Sequence, residues 1–80
     1  MSDYENIVIS AVRYALGRMT YIVNITVEYV LKDIEQVKLS KNCLWVIHED
    51  IAHQKDLGME CDIADWQRLL KKIDEVMECD

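Results

Sequence analysis

Apolar residues recur at helical spacing along most of this 80-residue chain. Ser2 and Glu5 stand where a capping box opens a helix, each side chain serving a backbone amide that the first turn leaves without a partner. Ile7, Val8, Ala11, Val12, Ala15 and Leu16 then follow on helical spacing. Gly17 is a natural residue just past a helix end, because without Cβ it enters the left-handed region freely. The first helix is expected over about 3–16.

The second segment has two readings. Tyr21, Val23, Ile25, Val27, Tyr29 and Leu31 alternate as in a strand, and β-branched residues favour that locally. Val23, Val27, Val30 and Ile34 also share one helix face, with Ile22, Ile25 and Tyr29 beside them. The pattern runs on through "LKDIEQV" without a turn residue, and a lone strand would have no partner to pair with. A helix over about 20–37 is the reading taken, with Thr20 as its N-cap.

Ser40 is placed to cap a third helix over about 41–57, with Leu44, Ile47 and Ile51 as its inner stripe and Leu57–Gly58 as its end. Cys43 to Ile47 is apolar throughout, wider than one buried face requires. Trp45 lies off the centre of the stripe at helical spacing. It either reaches the core edge or belongs to a partner surface, where tryptophan is favoured. Asp62 caps a fourth helix over about 62–77, Asp65 sits in its first turn, and Ile63, Trp66, Leu69, Leu70, Ile73 and Val76 form a wide stripe. Arg68, Lys71 and Lys72 fall toward the outer side. The acids of "DEVMECD" lie at the unfavourable pole of that helix and predict a fraying end. Short connections make successive helices antiparallel. The expected fold is therefore an all-α, compact bundle of about four helices, one domain over residues 1–80.

Charge changes the functional picture more than the fold. The net charge is −6, and residues 1–48 carry five acids and five bases, so the whole excess falls in residues 49–80. Direct nucleic-acid binding needs a basic footprint to displace counterions and is not expected. An acidic surface keeps a small protein soluble, and it also permits a basic partner or mimicry of a nucleic-acid backbone. The apolar run from Tyr21 to Leu31 is too short and too polar to span a bilayer. Cys43, Cys61 and Cys79 are odd in number and irregular in spacing, which fits free thiols in a reducing cytoplasm. Asp3 and Glu5 occupy the place of a signal peptide's positive region.

Candidate chemistry is sparse. His48 and His53 in "HEDIAH" are five apart, about 140° around a helix, whereas metal-gripping pairs sit at i and i+4. With Cys43 and Cys61 they match no common zinc pattern. Glu49, Asp50, Asp56, Glu60, Asp62 and Asp65 raise the thought of a magnesium-dependent hydrolase, but several are explained as caps or turn residues. No cysteine has a base predictably beside it. The expectation is no enzyme, no catalytic residue, no metal and no cofactor.

"YALGRMTY", residues 14 to 21, is the most distinctive stretch. As structure, Leu16 packs, Gly17 turns the chain and Arg18 meets the carbonyls left at the helix end. As function, Arg13 and Arg18 with Tyr14 and Tyr21 make a small basic, aromatic spot in an acidic molecule, and arginine and tyrosine are interface anchors. Together with Trp45, Glu49 and Asp50 they form the expected partner-binding set. "RYALGRMTYIV", residues 13–23, resembles a motif of short bacteriophage and prophage proteins that carry R-Y-A-L-G-R, a variable residue and T-Y near the N-terminus. The resemblance implies a phage or mobile-element origin and a cytoplasmic site of action in a bacterium, and it assigns no activity. The functional expectation is a protein–protein interaction module, such as an inhibitor of a host defence protein. The alternatives are a homo-oligomeric structural or assembly helper and a nucleic-acid-associated regulator.

Overall fold

The computed structural model describes residues 1–56 and 64–78. They form α1 (Asp3–Ala15), α2 (Thr20–Glu35), α3 (Lys41–Asp56) and α4 (Ala64–Glu78), with no strand among the described residues. The chain is an all-α bundle, and the ambiguous segment of residues 21–31 is helix. Val23, Val27, Val30 and Ile34 are all buried in it, so one packed face outweighs the local strand preference of β-branched residues.

The capping box at α1 is present in full. Ser2 Oγ accepts from the Glu5 amide at 3.2 Å, and the Ser2 amide donates to Glu5 Oε1 at 3.1 Å. Ser40 caps α3 by accepting from the Cys43 amide at 3.2 Å. The expected cap at Thr20 is a correction. Met19 holds the N-cap position of α2 with no side-chain bond, and its carbonyl accepts from both Ile22 and Val23. Thr20 is already helical, one residue too late for its hydroxyl to reach a free amide of the first turn. The expected cap at Asp62 and the turn at Gly58 lie outside the described residues.

Gly17 has φ 76°, following Leu16 at φ −61° and ψ 128°, and the Arg18 amide donates to the Ala15 carbonyl at 3.0 Å. These values describe a type II turn, whose third residue requires positive φ. The end of α2 was not foreseen. It stops at Glu35, and the amides of Val37 and Lys38 donate to the carbonyls of Ile34 and Asp33. This is the paired bonding of a Schellman motif, which usually carries glycine at the left-handed position. Here that residue is Val37, at φ 54°.

α1 packs against α2 and α3, and α4 packs against the same two helices, so α2 and α3 sit on a diagonal of the bundle. Cross-links fix the directions. Glu5 meets Ser40 near one end of the α1–α3 pair and Arg13 meets Asp50 toward the other, so α1 and α3 run parallel. Asn24 with Asp65, and Glu28 with Arg68, make α2 and α4 parallel too. Tyr4 reaches Asp33, which sets α1 against α2. Sequence neighbours are thus antiparallel as expected.

The core joins Val8, Val12 and Ala15 of α1 to Val27 and Val30 of α2, Leu44, Ile47 and Ile51 of α3, and Trp66, Leu69 and Ile73 of α4. The chain's radius of gyration, 11.6 Å, is that of a well-packed chain of this length. Two members of the α1 stripe are corrections: Ile7 and Ala11 are exposed, and Ile9 is buried in their stead. Packing against α3 as well as α2 rotates the buried face of α1 toward Glu5 and Ile9. α4 stays helical through Glu78 because Val76 and Met77 still touch the core.

Candidate protein-interaction surface

α3 buries Cys43, Leu44, Ile47 and Ile51. At 100° per residue their mean direction lies roughly 145° from Trp45. Trp45 accordingly stands 52% exposed on the solvent side, while Trp66 is the tryptophan of the core. The Trp45 ring lies parallel to that of His48, with centroids 5.9 Å apart and planes within 3°. His48 is tied to α4, its Nε2 3.1 Å from Asp74 Oδ1. This fixes the stacked pair against the bundle. Glu49 is exposed one residue along, and Asp50 is half-buried behind it.

Asp50 is not free to receive a partner's cation. Its Oδ2 accepts from Arg13 Nε at 2.7 Å and its Oδ1 from Arg13 Nη2 at 3.5 Å. Both residues of this pair belong to the expected partner-binding set. The parallel run of α1 and α3 brings them together, and neither capping nor spacing in the sequence shows it. The hydrogen bond to Asp50, and then its charge, hold the Arg13 guanidinium even more firmly protonated than usual.

Arg18 does what a helix-end cation should. Its Nε donates to the Tyr14 carbonyl at 3.0 Å, and its guanidinium carbon lies 4.4 Å from the centre of the Tyr14 ring. Tyr14 and Tyr21 are both exposed. The expected set therefore divides into a group on α3 with Arg13, and a group at the α1–α2 turn.

A third feature lies between α1 and α2. Tyr4, Ile7 and Ala11 of α1 face Ile25, Thr26 and Tyr29 of α2 across a groove of about 310 Å³. At one end of it the Tyr4 hydroxyl donates to Asp33 and lies 3.4 Å from the Tyr29 hydroxyl. That bond to Asp33 pushes the Tyr4 phenol far above its ordinary value, so it stays protonated. Asp33 is buried and satisfied from inside the protein. The signal that could have found the groove is the i, i+4 pairing of Ile7 with Ala11 and of Ile25 with Tyr29, beyond what either helix needs for the core.

The remaining candidate groups are accounted for locally. Asp65 accepts from Asn24 and Arg68. The Cys43 thiol is fully buried and free, pushed up to about 11 first by burial and then by Glu5. A thiol so held is protonated and a poor nucleophile. The described residues hold no group of three or more metal-ligating side chains, and no helix among them is long and apolar enough to cross a membrane. Cys61, Asp56, Glu60 and Asp62 have no described side chains. No protein-family model matches the chain, and neither a curated protein nor a solved structure does.

Proposed function

We propose that this chain is a non-enzymatic protein–protein interaction module of phage or mobile-element origin. It acts in the bacterial cytoplasm by occupying a site on a host or phage protein, as an inhibitor of a host defence protein such as a CRISPR nuclease would. The observation that carries the reading is the exposed Trp45, stacked on a His48 that is itself anchored to Asp74. Trp45 is not among the buried core residues, so much of its apolar surface is left to solvent. Tryptophan is among the side chains enriched at interface hot spots. With Glu49 beside it, it fits an apolar cleft with a basic rim. The origin rests on the resemblance of residues 13–23 alone.

The test is capture from bacterial lysate by the tagged chain, followed by mass spectrometry. The wild type is expected to retain a specific protein, and Trp45→Ala to weaken that association by about 30-fold, the loss of a 2 kcal/mol hot spot. Equal capture by both chains would remove Trp45 from the reading.

A homo-oligomeric assembly helper is the second reading, favoured by the apolar groove between α1 and α2. A nucleic-acid-associated regulator draws less support, because Arg13 is paired with Asp50 and Arg18 is laid on Tyr14.

A further inference from the structure

The outer face of α1 and α2 is unlike the rest of the surface. Tyr4, Ile7, Ala11 and Tyr14 run along α1, and Ile25 and Tyr29 run along α2. Tyr14 and Tyr29 are 60% and 56% exposed. At about 200 Å² per tyrosine they offer roughly 230 Å² between them. Ile7 and Ile25, each more than half exposed, fill the ground between and bring the patch to roughly 400 Å², a size at which an exposed apolar patch is often functional. At one end of it the Arg18 guanidinium lies over the Tyr14 ring. Asp33, at its edge, is buried and bonded to Tyr4.

We propose that this face is the interface of a homodimer, its occupant the same face of a second copy. Charge selects the occupant. The chain carries −6, all of it from residues 49–80, whereas residues 1–48 are neutral. Glu5 and Asp33 are buried and bonded inside the bundle, so the exposed charges of residues 1–40 (Asp3, Glu28 and Glu35 against Arg13, Arg18, Lys32 and Lys38) do not repel a second copy. Association through α3 and α4 would bring like charges together. The rim is complementary under a twofold axis. Asp3 and Lys32 are exposed at one end of the face and Arg18 at the other. With the axis along the helices, Asp3 of one copy approaches Lys32 of the next. With the axis across them, it approaches Arg18. Such an interface is isologous and closes at two copies. The inference is independent of the partner surface at Trp45, which it leaves open on the far side of α3.

Sedimentation equilibrium of the full chain reads the result. The wild type is expected at twice its 9.4 kDa mass, and Ile25→Glu at the monomer mass with an unchanged helical spectrum. Trp45→Glu is expected to remain dimeric, so loss of partner capture and loss of the dimer are separable. Tyrosine iodination of the wild type at low and high concentration guards against a misfolded variant. Tyr29 should become protected as concentration rises. A monomeric wild type at several hundred micromolar, a dimer that survives Ile25→Glu, one that Trp45→Glu dissociates, or Tyr29 labelling independent of concentration would each overturn the proposal.

Discussion

The carboxylate of Glu5 joins two helix starts: while Oε1 closes the capping box of α1, Oε2 accepts from both the amide and the hydroxyl of Ser40, at 2.9 and 2.7 Å, at the head of α3. The parallel run of α1 and α3 puts two positive helix poles side by side, and one anion serves both. The hydrogen bonds from Ser40, ahead of those from Ser2, lower the Glu5 carboxyl from its ordinary 4.5 to about 2. Because the folded value is the lower one, ionised Glu5 stabilises the fold fully above pH about 4.5. That contribution is lost as the pH falls through about 2. Melting temperature should therefore drop on acidification across this window, and Glu5→Gln should flatten the drop while lowering the plateau at neutral pH. An identical acid profile in the two proteins would show that Glu5 does not link the helices.

The buried Cys43 thiol should be nearly inert. Iodoacetamide at pH 8 is expected to leave Cys43 unmodified in the native chain and to alkylate it in denaturant, as read by peptide mass mapping. Rapid native labelling would mean that the start of α3 opens locally, contrary to the Ser40 cap.

Arg13 and Asp50 should be coupled only weakly. Arg13 is more than half exposed, so water and salt screen the pair, and exposed ion pairs contribute about 0.2–1 kcal/mol. A double-mutant cycle with Arg13→Ala and Asp50→Ala should give a coupling in that range, shrinking in high salt. A coupling well above it would assign the pair a structural role beyond a surface clasp.

What was legible in the sequence is what short-range chemistry decides. Ser2, Glu5, Gly17 and Ser40 act on backbone groups within a few residues, so their types and spacing suffice. Arg18 likewise reaches only back to Tyr14. Thr20 misled because a good capping residue one position late has no amide to serve. Ile7 and Ala11 misled for a different reason. Helical spacing tells which apolar residues share a face, but not which face the other helices cover. The joins of Glu5 to Ser40 and Arg13 to Asp50 depend on α1 lying parallel to α3, and no local pattern encodes that. Val37 was invisible because its sequence argues against its conformation.

Val37 and Gly17 form a matched experiment. Both occupy the left-handed region, at φ 54° and 76°. One is the residue suited to it, and the other is β-branched and crowds its own carbonyl there. Val37 is also 86% exposed, so replacing it forfeits almost no packing. Val37→Gly should therefore stabilise the chain by about 1 kcal/mol in chemical denaturation, the relieved strain exceeding the added unfolded-state entropy. Gly17→Val should destabilise it by about 1–2 kcal/mol, since the type II turn leaves the same φ no alternative. Arg18→Ala beside it should cost under about 1 kcal/mol, because its carbonyl contact is exposed. If Val37→Gly lowers stability instead, the end of α2 relies on the valine side chain and the Schellman bonds do not carry the turn by themselves.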